Sequence, residues 1–387
     1  MKIEDIKVYE ILDSRGDWTI EVEMLADGIK EKTSLPSGKS KGSYEAINLS
    51  YQKIKENLGD FLKEIQILDF KTSKDFDNFL IEKGGKDKEK LGANFTLGAS
   101  IVFARILAKN EGLELYQYLK KEYQKQEFNL PGLVINLIGG GVHSFNNLDF
   151  QEYWLVLNGF DQINGHLIKE KSINFRELLI KILEIIDKLE NRLPKPLGRN
   201  DEGAFCTNFS DNYEPFLYLK EVKNNFELGA DIASNQITKL VDWERIYDKL
   251  KKLNVRYLED PFKENEFEKF AKLKEEGFKV IGDDLTVTNV ERLKIALDKN
   301  SIDGVIVKPN QVGTILETFK FIELAKENNL FTIFSHRSGE TNDDWIIDLG
   351  ISFEVDFFKI GPPVQGERIV KYNRLLEILD DLNYKNF

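Results

Sequence analysis

The amino-acid sequence predicts an α/β protein with a small N-terminal α+β domain followed by a C-terminal β/α barrel. Three observations support this prediction: a chain of 387 residues, a strand-like beginning that turns helical, and a later series of apolar runs separated by helices. A chain of this length exceeds one small core and suits a barrel with a smaller partner domain. We place the boundary near residue 125, so the predicted domains are residues 1–125 and 126–387.

The N-terminal region begins as strands and continues as helices. Apolar and polar residues alternate over residues 3–9 and 18–25, and an Asp27-Gly28 turn follows. Such alternation is typical of antiparallel strands with one buried face. From about residue 44 to about residue 121 the apolar spacing becomes helical, most clearly over residues 99–110. This order predicts a small antiparallel meander followed by helices.

The C-terminal region contains six short apolar runs, each of which ends at a polar or ionisable residue. They cover residues 226–231, 255–259, 278–283, 304–308, 330–336 and 355–359. Successive endpoints are 28, 24, 25, 28 and 23 residues apart, about the length of one strand, one helix and two short loops. Helices are predicted at residues 174–191, 243–252, 266–276, 290–300, 313–329 and 343–349. The remainder of residues 164–225 carries no clear pattern.

This spacing is typical of a TIM-like barrel of parallel strands. In such barrels the C-terminal strand ends open on one face, where active sites lie. We therefore expect the residues that end the six runs to converge at one mouth. They are Asp231, Glu259, Asp283, Lys308, His336 and Lys359.

Composition and charge exclude several classes of function. The formal net charge of -12 argues against general nucleic-acid binding, which depends on Lys and Arg at phosphates. Cys206 is the single cysteine, so no internal disulfide can form and a cysteine-bound metal cluster is not expected. No apolar run approaches the roughly 20 residues of a membrane span, and no leader pattern begins the chain. We expect a soluble cytoplasmic protein that does not bind membranes.

Three of the run-ending residues are carboxylates: Asp231, Glu259 and Asp283. Three hard oxygen donors from neighbouring strands are ligands that Mg²⁺ accepts while it keeps positions for water and substrate. The alternative is that each residue caps the helix after its strand. Three carboxylates in consecutive strand-helix units favour the metal site.

Two lysines, Lys308 and Lys359, end runs on the same predicted rim. A second ammonium close by lowers the pKa of the first, and a neutral amine can remove a proton from carbon. The alternative is that both are ordinary solvated lysines. Arg337 and Ser338 directly follow His336, and this group suits phosphate, because a guanidinium binds two phosphate oxygens while the hydroxyl donates another bond.

Eight stretches, in one order and with spacings that agree with the barrel, extend over nearly the whole chain. They are LDSRG at residues 12–16, PSGKSKG at 36–42, LGAN at 91–94, DEG at 201–203, LEDPF at 258–262, DDLTVTN at 283–289, SHRSGET at 335–341, and ER at 367–368 near KYN at 371–373. Each is weak alone, but together they closely resemble the enolase family.

The resemblance implies a role for each site residue. Asp231, Glu259 and Asp283 are expected to bind a tightly held Mg²⁺, and Ser40, on a closing loop, a second one. Lys308 is the expected base, Glu202 the expected acid, and Glu152 the support of Glu202 and the leaving water. The residues expected to contact the substrate are His143, His336, Arg337, Ser338 and Lys359.

The resemblance also implies an activity: dehydration of 2-phosphoglycerate to phosphoenolpyruvate in glycolysis and gluconeogenesis, with two Mg²⁺ ions per active site and a homodimer or higher homo-oligomer. Two alternatives stay open. One is a paralogue that acts on a related phospho- or phosphono-carboxylate, and the other is an inactive enolase fold used for binding.

Several positions depart from the family pattern. Gly139 and Val142 replace the usual Asn and Ser before His143, and the closing loop carries Lys39 and Lys41. The segment between Asp231 and Glu259 is shortened, and residues 360–363 read Ile-Gly-Pro-Pro. The expected site residues are all present, so these departures bear on substrate and assembly more than on reaction type.

Overall fold

The computed structural model of the protein describes residues 1–39, 42–126, 128, 130–157, 162–163, 166–167, 175–238 and 242–382, without side chains at 162–163 and 166–167. The chain forms two compact units that interleave along the sequence. The first comprises residues 1–129, 286–294 and 306–355, and the second comprises residues 130–285, 295–305 and 356–387. The domain boundary expected near residue 125 stays a prediction.

The first unit begins with an antiparallel sheet of three strands. These are β1 (Ile3–Leu12), β2 (Trp18–Ala26) and β3 (Ile29–Ser34), in that order across the sheet. Val8 pairs with Val22, which pairs in turn with Thr33, and all three side chains are buried. Because side chains alternate between the two faces of a strand, the apolar residues collect on one face. The predicted meander is confirmed.

Residues 42–126 form four helices: α1 (Tyr51–Ile65), α2 (Ser73–Gly84), α3 (Ala93–Asn110) and α4 (Leu115–Glu122). α3 is buried along most of its length and packs on β2 and β3. Gly98 allows this close approach, because a Cβ there would lie 2.5 Å from Val22 Cγ2. The helices expected in this region are confirmed.

The rest of the chain alternates strands and helices. In order, the elements are β4 (Gly132–Gly139), β5 (Glu152–Leu157), β6 (Gln162–Ile163), β7 (His166–Leu167), α5 (Phe175–Glu190), β8 (Gly198–Arg199), β9 (Phe205–Cys206), α6 (Glu214–Val222), β10 (Glu227–Asp231), α7 (Trp243–Lys252), β11 (Val255–Glu259), α8 (Phe267–Glu275), β12 (Lys279–Gly282), α9 (Val290–Asp298), β13 (Gly304–Val307), α10 (Ile315–Glu327), β14 (Phe331–Ser335), α11 (Trp345–Ser352), β15 (Phe357–Lys359) and α12 (Gly366–Asp381). Short 3₁₀ turns occur at Gly141–His143, Ser234–Gln236 and Pro309–Gln311. Every strand and helix predicted here is present, with ends within about three residues of the prediction.

Among the described residues, ten strands form one sheet of order β15-β14-β13-β12-β11-β10-β5-β4-β9-β8. β15 also pairs in parallel with β4, through Phe357 and Gly132, which closes β4, β5 and β10 to β15 into a barrel. β10 to β13 are parallel, as predicted. β5 differs, because it runs antiparallel to both β4 and β10. The start of β5, rather than its end, therefore lies beside the C-terminal end of β10.

Candidate active site

Strand ends in the second unit bring three carboxylates together. Asp231 and Glu259 end β10 and β11 and pair with each other across the sheet. Glu152 begins the antiparallel strand β5 and pairs with Asp231 from the other side. Residues in register on neighbouring strands share a face, and the strands lie about 4.8 Å apart. The three carboxylates are therefore neighbours on one face of the barrel wall.

Lys359, the last residue of β15, lies among these carboxylates. Its Nζ is 2.9 Å from Glu259 Oε2, 3.0 Å from Glu152 Oε2 and 4.0 Å from Asp231 Oδ2. None of the four side chains is more than 5% exposed. Burial by itself lowers the pKa of Lys359, but the carboxylates outweigh burial and raise it well above its usual value. Lys359 is an ammonium ion, and the alternative of a solvated rim lysine is wrong for it.

Glu152 and Glu202 form a hydrogen-bonded pair of carboxyl groups. Burial raises the pKa of Glu152 to about 7, with Lys359 opposing this shift and Glu202 adding to it. Trp154 Nε1 donates to Glu152 Oε2 at 2.6 Å, and Asn136 Nδ2 donates to Glu202 Oε2 at 3.2 Å. A carboxyl group that titrates near neutral pH can both donate and accept a proton. The pair is therefore suited to acid–base chemistry.

Asp231 is held in place by groups around it. Gln151 Nε2 donates to its Oδ2 at 3.0 Å, and the N–H of Ala233 donates to its Oδ1 at 2.8 Å. Burial and then the charge of Glu259 raise the pKa of Asp231 well above its usual value, although the Lys359 ammonium opposes them. The Lys359 ammonium therefore offsets only part of the negative charge of these carboxylates, and a bound cation would offset more of it.

The three carboxylates that end predicted runs, Asp231, Glu259 and Asp283, do not cap the helices that follow them. The N-cap residue of α7 is Asp242, and that of α8 is Glu266. At the start of α9, backbone N–H groups donate to the side chain of Asn289. The capping alternative is therefore wrong for all three.

A second carboxylate group contains Asp283. One oxygen each from Asp260, Asp283 and Asp284 lies within 4.8 Å of the other two. Both oxygens of Asp260 accept backbone N–H bonds, at 3.0 Å from Asp283 and 2.7 Å from Asp284. Burial, followed by the charges of Asp284 and Asp283, raises the pKa of Asp260 well above its usual value.

This second group shares only Asp283 with the predicted ligand set, so the two sets disagree. Backbone amides donate to both oxygens of Asp260, but both oxygens of Asp231 also accept hydrogen bonds, from Gln151 and Ala233, so hydrogen bonding does not separate the two sets. Asp231, Glu259 and Asp283 supply hard oxygen donors, the kind that Mg²⁺ prefers, and all three are buried. The residues present therefore fit the metal.

Arg337 is a buried guanidinium in the first unit. Its Nη1 donates to Asn310 Oδ1 at 2.9 Å and to Glu45 Oε2 at 3.3 Å, and its Nη2 donates to Glu45 Oε1 at 3.2 Å. The backbone N–H of Arg337 donates to Glu340 at 2.9 Å. A Cβ at Gly38 would lie 1.7 Å from Nη2, so only glycine allows the backbone this close. The guanidinium is fixed from several sides.

Ser338 lies beside a second arginine that sequence reasoning did not assign. Arg15 Nη1 donates to Ser338 Oγ at 3.0 Å, and the N–H of Lys39 donates to the same oxygen at 3.1 Å. Arg15 Nη2 also bonds Asp13 and Ser37, at 3.0 and 2.8 Å. Arg15 lies in the LDSRG stretch, which carried the family resemblance but no role.

The remaining predicted residues are buried or partly buried. His143 lies in the 3₁₀ turn after β4, and His336 directly follows β14. Lys308 follows β13, and its N–H donates to Thr288 Oγ1 at 2.9 Å. Ser40 lies outside the described residues.

The predicted site residues fall into two sets, one in each compact unit. The first unit contains Lys308, His336, Arg337 and Ser338, and the second contains His143, Glu152, Glu202, Asp231, Glu259, Asp283 and Lys359. Glu152, Asp231, Glu259 and Lys359 are in direct contact, and Glu202 bonds Glu152. The convergence of the two sets stays a prediction.

The fold and this centre define a β/α-barrel protein with a buried acid–base group. Two family models match the chain: "Enolase, N-terminal domain" over residues 3–119 and "Enolase, C-terminal TIM barrel domain" over residues 217–386. The chain is 36% identical to an enolase of Sulfurisphaera tokodaii, covering 98% of this chain and 96% of that protein. It is also 36% identical to an enolase of Campylobacter lari, covering 99% and 98%, and 34% identical to one of Saccharolobus solfataricus, covering 97% and 95%.

The chain belongs to the enolase family. Membership supports lyase chemistry of the enolase type. None of the described helices is long and apolar enough to cross a membrane.

Proposed function

We propose that the protein catalyses the reversible, Mg²⁺-dependent dehydration of 2-phosphoglycerate to phosphoenolpyruvate. The observation that carries this proposal is the buried group around Lys359, where the Glu152–Glu202 pair adjoins carboxylates that suit a metal. Dehydration removes a proton from one carbon and a hydroxyl group from the next, so it needs a base and an acid. The pKa of Glu152, about 7, supports acid–base work near neutral pH.

Protein side chains carry the proton transfers. Lys308 removes the proton next to the substrate carboxylate, and Glu202 donates a proton to the departing hydroxyl. Glu152, bonded to Glu202, assists that donation and binds the leaving water. Lys359 and His336 contact the substrate directly. A lysine base used together with Mg²⁺ is the established pattern of the enolase superfamily.

Asp231, Glu259 and Asp283 would hold one Mg²⁺, and Ser40 would help to hold a second. Bound Mg²⁺ would offset the negative charge that develops on the substrate carboxylate.

Arg337 and Ser338 would bind the phosphate, and His143 would close over it. A buried guanidinium fixed by its neighbours is suited to bidentate contact with phosphate oxygens. The predicted homodimer or higher homo-oligomer and the cytoplasmic location are part of the same proposal.

The direct test follows phosphoenolpyruvate by its ultraviolet absorbance, starting from 2-phosphoglycerate. We expect turnover with Mg²⁺, no turnover with a chelator, and a fall in kcat of about 10²–10⁴-fold in Lys308→Ala and Glu202→Gln. Lys294→Ala is the control, because Lys294 is exposed and paired with Glu291 on α9.

Unchanged turnover in both active-site variants would contradict the roles given to Lys308 and Glu202. An inactive intact protein would point instead to a related phospho- or phosphono-carboxylate, or to a binding role without catalysis.

A further inference from the structure

A continuous chain of hydrogen bonds joins Lys308 to Arg337 inside the first unit. It passes from the Lys308 N–H to the Thr288 hydroxyl, the Gln311 amide, the Glu45 carboxylate and the Arg337 guanidinium. Thr288 and Gln311 are 1% exposed, and the side chains of Glu45 and Arg337 are 5% and 4% exposed. Buried polar groups stay hydrogen-bonded, so each member restrains the next.

The Glu45 carboxylate fixes the orientation of the Gln311 side chain. A carboxylate paired with a guanidinium only accepts hydrogen bonds, so the NH₂ group of Gln311 must face Glu45 Oε1, 3.4 Å away. Gln311 Oε1 then faces Thr288 and accepts the proton of its hydroxyl at 2.7 Å, while the hydroxyl oxygen accepts from the Lys308 N–H at 2.9 Å.

Glu45 is held by more than Arg337. Its Oε1 also accepts from the N–H of Gly42 at 3.2 Å, and the N–H of Ala46 donates to the backbone oxygen of Gln311 at 2.9 Å. These bonds fix Glu45 against the 3₁₀ turn that follows Lys308. A carboxylate fixed in this way determines where the guanidinium of Arg337 lies.

We propose that Gln311 and Glu45 are positioning residues that set the geometry of Lys308 and Arg337 together. This inference rests on the proposed function, in which Lys308 is the base and Arg337 binds phosphate. Glu45 fixes the guanidinium of Arg337, and Thr288 fixes the backbone at Lys308. Gln311 bonds both Glu45 and Thr288 and so joins the two ends. Neither Gln311 nor Glu45 needs to touch the substrate.

Substitutions at Thr288, Glu45 and Gln311 should change kcat and KM in different ways. Thr288→Val breaks the link on the Lys308 side, so kcat should fall roughly tenfold with KM little changed. Glu45→Gln weakens the link on the Arg337 side, so KM should rise roughly tenfold with a smaller change in kcat. Gln311→Glu places a carboxylate against Glu45 and should change both. For Glu45→Gln the size follows from the about 1.5–3 kcal/mol of a hydrogen bond to a charged group, and for Thr288→Val from the about 1–3 kcal/mol lost when a buried N–H has no partner, where about 1.4 kcal/mol is tenfold.

A double variant that exchanges the residues at positions 45 and 311 separates a positioning effect from nonspecific disruption of the structure. In the double variant Gln311→Glu with Glu45→Gln, the amide and the carboxylate change places, and one hydrogen bond between them is restored. We expect its KM to be lower than the product of the two single effects predicts. Thr318→Val is the matched control for Thr288→Val, because Thr318 is also buried but bonds only the backbone oxygen of Thr314 on α10.

Inorganic phosphate provides a readout that does not need turnover. Phosphate should raise the midpoint of thermal unfolding of the intact protein, and the shift should be smaller in Glu45→Gln and Gln311→Glu. Circular dichroism of each variant identifies those that fail to fold, and the phosphate shift is then measured on the folded ones.

Wild-type kcat and KM in folded Thr288→Val and Gln311→Glu would overturn the proposal, as would strictly additive effects in the double variant. If the intact protein does not turn over 2-phosphoglycerate, the proposed function fails while the phosphate shift still tests the link from Gln311 through Glu45 to Arg337. An unchanged phosphate shift in both of those variants would overturn that link.

Discussion

At the scale of single residues, Lys359 is the clearest case of a charge fixed by its surroundings. One ammonium ion faces Glu152, Glu259 and Asp231, and every partner is buried. In water such pairs contribute little, but a buried charge that loses its partner is expensive. Lys359 therefore stabilises the carboxylates of the metal-free protein in addition to any contact with substrate.

Replacing this ammonium should destabilise the metal-free protein. We expect Lys359→Met to lower the free energy of unfolding by about 3–5 kcal/mol in the presence of a chelator, since buried carboxylates are left without a partner. Mg²⁺ should restore part of the loss, because a ligand that binds only the folded state stabilises it. Urea unfolding with and without Mg²⁺ measures both effects.

The control for this experiment is Lys63→Met, because Lys63 and its partner Asp60 are both exposed. Its unfolding curve should match that of the wild type. An equal curve for Lys359→Met would show that the buried ion pairs do not stabilise the fold.

The sequence predicted the carboxylates of the site more completely than it predicted which residues contact one another. The sequence pattern identified Asp231, Glu259 and Asp283, because each ends an apolar run before a helix. Glu152 was reached by resemblance alone, since it begins its strand and no run ends there. Arg15 was missed as a neighbour of Ser338, because more than 300 residues of chain separate the two and only the folded chain brings them together.

At the scale of elements, strands buried on both faces were the easiest to predict. Parallel barrel strands are near-continuous apolar runs, and the helix after each one adds a regular spacing. β4 and β5 were not predicted, although both are apolar, because β5 returns antiparallel to β4 with no α-helix between them. Their order breaks the spacing on which the other strands were recognised.

Helices α2 and α10 are joined by a buried carboxyl group that sequence patterns did not indicate. Asp77, on α2, accepts a hydrogen bond from the N–H of Leu316 in the first turn of α10, at 2.8 Å. Burial raises the pKa of Asp77 to about 7, although bonds from Ser100 and Leu316 oppose that shift. The carboxyl group is therefore protonated in the folded protein under mildly acidic conditions.

This pKa predicts how stability depends on pH. Because the folded pKa is above the usual value of 3.8, the contribution of Asp77 is fully present below 3.8 and is lost as pH rises to about 7. Asp77→Asn should remove that dependence, so its stability relative to wild type should rise by about 1.4 kcal/mol per pH unit within this range.

Urea unfolding of wild type and Asp77→Asn between pH 4 and pH 8 makes the comparison. Glu82→Gln is the control, because Glu82 is an exposed acidic residue of the same helix. A constant difference between Asp77→Asn and wild type at every pH would contradict the raised pKa.

At the scale of the whole molecule, the family and the barrel are established, and the central claim concerns the metal. The sequence predicted the ligands Asp231, Glu259 and Asp283. In the structure, one oxygen each from Asp260, Asp283 and Asp284 lies within 4.8 Å of the other two, and only Asp283 belongs to both sets. The sequence did not predict this second set. Asp260 and Asp284 directly follow two predicted ligands, and the distance between their carboxylate oxygens depends on the local backbone conformation. The first set is the one that the resemblance to the enolase family implies.

The most direct test is calorimetric titration of Mg²⁺ into the wild type, Asp231→Asn, Glu259→Gln and Asp284→Asn. The predicted set requires that the wild type binds Mg²⁺, that Asp231→Asn and Glu259→Gln each weaken binding at least about tenfold, and that Asp284→Asn changes it little. Unchanged affinity in Asp231→Asn and Glu259→Gln, with loss of binding in Asp284→Asn, would assign the metal to the other carboxylates and contradict the account.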